Sequence, residues 1–429
     1  MRDKAIKVVY LVANEDITSP LLRRQVVELL IEVSSASERP LNVSILLFQL
    51  VPSLVRRRKV LRELKKNLRR CGISLVVVPN LVPWPVPNIR FMRTGAGFRP
   101  DGRWNRFGAV MFAFYAFPVL AYYALVKRVR VFHSRSYPPA LAVLAFKKVF
   151  RFVKHVFDPR SDFPEENVVA GRWEDDSSDF KFWKKVESKI LQDASTTVCI
   201  SEEYVNHFKE TTQTFSYILA PNNVDTNRFR YDPVARAMQR KTLGWSETDL
   251  VFVYLGGMSA DGWHRPDFYR ELIVRVRERV PNSKLLMLIP RHANDIAQRC
   301  FAGLDSVAIR NPAYDEVPKW LSVGDIGLMY MHRRRLAVGT KLGEYLAVGL
   351  PILCNSNCLG TKRFIQNYPD AGRVLNLGLG DLDQNPDHFT REELVGLTGR
   401  RRVLRTLAER IFSNSSVAET YINVYMGLS

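Results

Sequence analysis

Two side chains three positions apart carry the most suggestive chemistry in this chain of 429 residues. They are Lys341 and Glu344, within "GTKLGEYLAVGLPILC" at 339–354. The stretch predicts a short helix that Gly349-Leu350-Pro351 stops, followed by a buried strand. A cation in the first turn of a helix opposes the helix dipole by about 0.3–1 kcal/mol, so Lys341 needs an explanation. Either it pairs with Glu344 on a solvated helix face, or it assists an anion bound at the helix start while Glu344 grips a hydroxyl nearby.

Other polar residues stand where a strand ends. Gly256 and Gly257 follow "VFVYL", and glycines there let the backbone approach a ligand closely. His133, Ser134, Arg135 and Ser136 follow "RVRVF", and Asp158, Pro159 and Arg160 follow "VKHVF". Ser19 and Gln25 lie in "ITSPLLRRQVVELL" after the first apolar run, where "TSP" is also an ordinary helix start with proline in the first turn.

The elements that position these residues alternate in type. Apolar, β-branched runs predict strands at 8–12, 43–48, 75–78, 129–133, 152–157 and 196–200, then at 250–255, 285–289, 307–309, 326–330 and 352–354, with helical patterns between them. This alternation predicts α/β domains with parallel sheets covered on both faces. It occurs twice, and "LAPNNVDTNRF" near the middle reads as a hinge. The expected architecture is two Rossmann-like, doubly wound domains facing across a cleft: 1–220, 221–405, and a terminal segment 406–429 returning to the first domain. Ligands of such sheets sit beyond the carboxyl ends of the strands, where the polar residues concentrate.

Composition narrows the partners. Sixty-three Lys and Arg against 43 Asp and Glu leave a formal charge of +20, a field that attracts nucleic acid, anionic membrane or phosphorylated small molecules. The five cysteines are scattered, and only Cys354 and Cys358 lie close, with no histidine beside them, which argues against a metal site and for a reduced, cytoplasmic protein. The run 107–126, "FGAVMFAFYAFPVLAYYALV", has no charge over twenty residues. It is long enough to span a bilayer, yet its five alanines, Pro118 and three tyrosines favour a core or membrane-surface helix.

Taken together, several motifs resemble a known family. These are "PNNVDTNRF" at 221–229, "YDEVPKWLSVGDIGLM" at 314–329, "KLGEYLAVGLP" at 341–351, "FHSRSYPPA" at 132–140, "FDPRSDFPEE" at 157–166 and "SKILQDASTTVCIS" at 188–201. In order and spacing the chain resembles the retaining GT-B glycosyltransferases that use nucleotide sugars, family 4 in particular. The resemblance implies the GT-B fold, a nucleotide-diphosphate sugar as donor and no cofactor or metal. It gives Glu344 the two ribose hydroxyls, to which two carboxylate oxygens are suited. It gives Gly256, Gly257, Gly339, Thr340 and Lys341 the diphosphate. It sets His133 beside the transferred sugar, Arg135 and Asp158 around the acceptor or in a role that stiffens the cleft, and Ser19 and Gln25 in a loop that closes over the cleft. For His133 and Asp158, structural hydrogen bonding is the competing explanation.

Two departures from the family pattern stand out. An Arg and a Lys usually follow the glycine turn as diphosphate clamps. Here "GGMSADGWHRPDF" offers only His264 and Arg265, and Arg265 is the expected substitute. Many relatives also carry a glutamate eight positions before the ribose-binding one; here that position is Leu336, so the identity of the sugar does not carry over. In the family's retaining chemistry the departing diphosphate helps deprotonate the acceptor hydroxyl, and the protein stabilises leaving-group charge and aligns the substrates. Lys341, Arg265 and His133 are the expected catalytic groups.

The segment 55–72, "VRRRKVLRELKKNLRRCG", carries nine basic residues and one acid around a narrow stripe of Val60, Leu61, Leu64 and Leu68. A basic amphipathic helix of this kind suits an anionic membrane surface, which would hold the protein on the inner face of the membrane near a lipid-linked or polysaccharide acceptor. The alternative is a solvated helix whose stripe packs on the sheet. Competing functions are a nucleotide-sugar epimerase of similar fold and a non-catalytic polyanion-binding protein. Nucleic acid is not the expected partner, because no aromatic-basic RNA motif, zinc knuckle or recognition-helix pattern is present.

Overall fold

The structure, a computed structural model, describes residues 5–80, 104–258, 264–376 and 389–429. The chain divides into two compact units, Met1–Ala220 with Val417–Ser429, and Pro221–Ser416.

The first unit is built on a seven-stranded parallel sheet. Its strands are β1 (Ile6–Ala13), β2 (Leu41–Leu50), β3 (Ser74–Asn80), β4 (Val131–Arg135), β5 (Lys154–Asp158), β6 (Thr196–Cys199) and β7 (Tyr217–Leu219), in the order β3-β2-β1-β4-β5-β6-β7. β1 is buried on both faces at almost every position, as a central strand covered by helices on both sides must be. Alternate side chains point to opposite faces. Val8, Tyr10, Val12, Val43, Ile45 and Leu47 join one core with Val26, Leu30, Leu61 and Leu68. Phe48, on the other face, meets Phe112 edge-on at 5.1 Å between ring centroids.

This alternation places the two unusual segments. The basic stretch lies in the helix Val51–Arg70, and its Leu61 and Leu68 are buried in the Tyr10 core with Leu54 and Leu64 packed alongside. Val55 and Val60 stay exposed. The leucines of the stripe are therefore used up against the sheet, and the outward face of this helix is mainly basic, with Val55 and Val60 among its charges. The charge-free run forms the helix Arg106–Ala121 and a widened turn, Tyr122–Val126. It buries Ala109, Phe112, Ala116 and Leu120 while Phe107, Phe114, Leu125 and Val126 stay exposed. By length and composition it could cross a membrane, yet one side belongs to the core. Because Leu68 and Phe112 pack on opposite sheet faces, the basic and apolar helices do not form one continuous face.

The second unit has a six-stranded parallel sheet of β8 (Leu250–Leu255), β9 (Ser283–Leu288), β10 (Val307–Arg310), β11 (Ile326–Met329), β12 (Ile352–Cys354) and β13 (Gly372–Val374), in the order β10-β9-β8-β11-β12-β13. In both sheets the chain winds outward from a central strand in one direction and then returns to wind in the other. The reversal falls between β1 and β4 in the first unit and between β8 and β11 in the second, and ligand crevices open at such points.

The segment 406–429 does not return as one piece. Leu404, Leu407, Ala408 and Phe412 of the helix Arg401–Phe412 are buried in the core of the second unit. Only from Val417 do Ala418, Tyr421, Ile422 and Tyr425 enter the core of the first. The exchange of units therefore falls at 416–417 rather than at 406.

If the stripe of the basic helix is core, Leu68→Ala should destabilise the protein by about 2–5 kcal/mol in denaturant unfolding, and Val60→Ala should stay within about 0.5 kcal/mol.

Candidate functional site

The helix Thr340–Val348 starts beyond β11, beside the end of β8, at the reversal point of the second sheet. Gly339 is its N-cap and offers no side-chain acceptor; the Leu342 N–H turns back to the Gly339 carbonyl at 3.0 Å, while the N–H groups of Thr340 and Lys341, ahead of it, have no carbonyl four residues back within the helix. Tyr345 locks the helix in place. Its hydroxyl accepts from the Leu255 N–H at 2.8 Å and donates to the Leu328 carbonyl at 3.3 Å, tying the ends of β8 and β11 together.

Lys341 bends back over the end of β8. Its ammonium lies 4.4 Å from the centroid of the Tyr254 ring, donates to the Tyr254 hydroxyl at 3.3 Å and lies 3.0 Å from His264 Nε2. Room for it comes from Gly256, which has φ +130°: a Cβ there would stand 2.6 Å from Lys341 Cε and 2.7 Å from Nζ. The glycine that the sequence offers as a close-approach point for a ligand is thus also the seat of the lysine. Tyr254 passes its own proton to the Gly257 carbonyl. Gly257 itself leaves open space beside its backbone.

Burial pushes the Lys341 ammonium down to about 7, and Arg335 adds to the fall while Glu344 opposes it. Lys341 still keeps part of its surface open to solvent. The result is a half-covered cation at the positive end of a helix, a place that favours a bound anion. Glu344 stands one turn further on the same face, 5% exposed. Thr340 opens the helix and is half-buried.

Arg265 does not take the expected clamp position. It precedes the helix Pro266–Arg279, forms a two-point ion pair with Asp267 and lies over the Phe268 ring at 5.4 Å. A guanidinium fork matched to the carboxylate two residues on is a helix-start device. The group that does reach Lys341 is its neighbour His264.

In the first unit the expected residues gather at the β1/β4 reversal, but they face one another. Asp158 is fully buried. Arg160 holds it at 2.8 Å, the Tyr10 hydroxyl donates to it at 3.4 Å, and His133 Nε2 lies 3.4 Å away. Burial alone would raise its pKa, but Arg160, His133 and Arg135 outweigh burial and bring it down to about 2. His133 is 0% exposed: its Nδ1 lies 2.8 Å from the Tyr425 hydroxyl, Tyr421 stacks on its ring at 5.5 Å, and burial lowers its pKa. A ring enclosed in this way has no edge for a sugar, so the expected catalytic role of His133 gives way to the structural one.

Arg135 binds both Glu15 oxygens at 3.1 Å and donates to Gln25 at 2.8 Å, which makes Arg135 and Gln25 part of the same internal lattice. Ser19 caps its helix by accepting from the Leu22 N–H at 3.3 Å. The backbone is strained around this cluster: Asn14, Ser136 and Arg160 have φ between 54° and 67°, each just past the end of β1, β4 or β5. Such conformations cost on the order of 1–3 kcal/mol each and gather where the structure around them fixes them.

The sequence did not single out Tyr254, and it offered His264 only as a spare. Their one signal was position, next to a glycine turn at the end of a strand. Among the described residues, one group brings candidate metal ligands together, Glu165, Glu187 and His207. Lys184 already bridges Glu165 and Glu187 there.

No family model matches this sequence, and no curated protein matches it. Solved structures match over nearly the whole length. The chain is similar to a sucrose-phosphate synthase from Thermosynechococcus elongatus (13% identity, 99% of each chain, TM-score 0.68). It is also similar to a glycosyltransferase from Rickettsia africae (14% identity, 99% of this chain and 98% of the other, TM-score 0.65). A third match is Anabaena HepE in complex with UDP (12% identity, 98% of this chain and 100% of the other, TM-score 0.63). The fold is therefore GT-B, two parallel-sheet α/β domains.

Gly256→Ala should unseat Lys341. The expected outcome is a loss of about 1–3 kcal/mol of stability and a Lys341 titration midpoint that moves from about 7 toward that of a solvated lysine, both measurable by thermal denaturation and lysine-selective NMR.

Proposed function

We propose that the protein is a retaining glycosyltransferase that moves a sugar from a nucleotide-diphosphate donor to a glycan or lipid-linked glycan acceptor. The observation that carries this is the placement of Lys341 and Glu344 on one helix start at the reversal point of the second sheet, in a chain whose whole length follows the GT-B fold. Structures of HepE, which shares the fold, were solved with UDP and with UDP-glucose.

In this assignment Glu344 accepts hydrogen bonds from both ribose hydroxyls. The N–H groups of Thr340 and Lys341 and the Lys341 ammonium take the diphosphate, with Gly256 and Gly257 letting the backbone approach it. As the bond from the anomeric carbon to the phosphate oxygen breaks, negative charge grows on the diphosphate, and a preorganised cation and helix amides are worth most at that moment. The acceptor oxygen bonds to the anomeric carbon on the same face, and its proton passes to the departing phosphate oxygen. No metal has a part in these steps.

The pH dependence follows from Lys341. Below about pH 7 it is already charged in the free protein. Above that, binding must take up a proton, so donor affinity falls as pH rises until the midpoint of the bound state is reached.

Saturating nucleotide tests the site. The matching nucleoside diphosphate, at a hundred times its dissociation constant, should add about 2.7 kcal/mol of stability in thermal-shift experiments with UDP, GDP and dTDP, and Glu344→Ala should remove most of that gain. No stabilisation by any of the three would sink the donor-site assignment.

We place the enzyme in the cytoplasm, peripherally on an anionic membrane surface, through the helix Val51–Arg70. Arg56, Arg58, Lys59, Arg62, Lys65 and Lys66 all face solvent there. With Leu61 and Leu68 committed to the core, this attachment is electrostatic and is screened by salt. At about 1 kcal/mol per basic residue, the triple change Arg58→Gln, Lys59→Gln, Arg62→Gln should weaken binding to phosphatidylglycerol vesicles about a hundredfold. Equal co-sedimentation of the variant and the native protein would remove the membrane assignment.

A further inference from the structure

One ring in contact with Lys341 has no part in the donor contacts above. His264 Nδ1 lies 3.0 Å from the Tyr330 carbonyl and 3.1 Å from the Tyr269 hydroxyl, while Nε2 lies 3.0 Å from the Lys341 ammonium. Tyr269 donates its own proton to the same carbonyl at 3.1 Å. A carbonyl oxygen can only accept, so the hydrogen sits on Nδ1 and the Nε2 lone pair faces Lys341. Burial first, then the charge of Lys341, keeps this ring neutral well below the usual range for histidine. Its face also lies against Tyr254, at 5.4 Å between ring centroids.

We propose that His264 is a positioning residue for the anion site: its Nε2 lone pair holds the Lys341 ammonium against Tyr254 and Gly256, ready for a phosphate of the donor. The inference rests on the donor-site assignment for the identity of the anion but not for the contact itself.

The physical case concerns what a cation needs at this spot. The helix start repels it, and the groups facing it from each neighbouring element are few. Tyr254 comes from β8, Arg335 from the segment after β11, Cys358 from the segment after β12 and Glu344 from its own helix. Arg335 opposes the charge. Tyr254 already gives its proton to Gly257, so toward Lys341 it presents only oxygen and ring face. A neutral imidazole with its lone pair fixed in direction supports a charged lysine without neutralising it, as a paired carboxylate would. A phosphate that arrives then meets an ammonium whose direction is already set.

The test compares His264→Leu, which removes the lone pair, with His264→Gln, whose amide oxygen stands near the place of Nε2; His264→Met serves if the leucine variant does not fold. Lys341 is titrated by NMR in lysine-labelled protein without ligand, its signal assigned with Lys341→Arg. The midpoint should fall by at least about one pH unit in the leucine or methionine variant and return in the glutamine variant. Affinity for the nucleoside diphosphate at pH 7.5 should fall about tenfold in the same variants, recover on lowering the pH to about 6 and recover in the glutamine variant. An unchanged midpoint in the leucine variant, or an equal loss in leucine and glutamine variants at every pH, overturns the inference. A midpoint that behaves as expected in a native protein that binds no nucleotide supports the His264–Lys341 contact and refutes only the donor assignment.

Discussion

A positive charge held at the positive end of a helix is the constraint around which the second unit is arranged. Lys341 sits in the first turn of the helix Thr340–Val348 with no acidic residue in that turn, so field and desolvation both oppose its proton. The surroundings offset this without cancelling it. Tyr254 offers a ring face, His264 a lone pair and Gly256 the absence of a side chain. The hydroxyl of Tyr345 fixes the helix against β8 and β11, and Gly327 leaves room for its ring, since a Cβ there would stand 2.7 Å from it. In the proposed assignment the phosphates of the donor complete this balance.

The polar cluster of the first unit follows the opposite logic. Asp158 is as deeply buried as any core residue, but Arg160, Tyr10 and His133 surround it, and Tyr421 and Tyr425 close over the histidine. Removing one member of such a network strands a buried charge, whereas the intact network leaves little demand for a ligand. Similar residue types at equivalent ends of two similar sheets therefore do different work. What separates them is charge balance: the first cluster pairs its cations with Asp158 and Glu15, and the second holds a lysine against neutral rings.

Much of this was legible in the sequence because it rests on period. Long central strands such as β1, β2 and β8 are dominated by apolar residues, and their order with the intervening helices fixes the parallel sheets. The three-residue strands β7 and β13 escaped notice because an edge strand needs few residues and pairs on one side only. Lys341 and Glu344 stood out because a cation in a first turn is locally unfavourable. Arg265 misled because its type suits a phosphate, while its partner Asp267, two residues away, decides its direction. His133 misled because sequence says nothing of enclosure by Tyr421 and Tyr425, almost three hundred positions away. The stripe of the basic helix could be read as core or as membrane anchor, and only the position of Leu61 and Leu68 on the sheet decides.

The closing of Tyr421 and Tyr425 over His133 also sets an order of events during synthesis. Asp158 and Tyr421 are 263 positions apart, and the whole of Pro221–Ser416 is made between them. At about 5–20 residues per second this delay is on the order of 13–50 s. The emerging first unit must wait through it with a buried carboxylate and imidazole still open to water, while the second unit has all its residues in hand earlier. The first unit, although its chain begins first, is therefore the last to be finished.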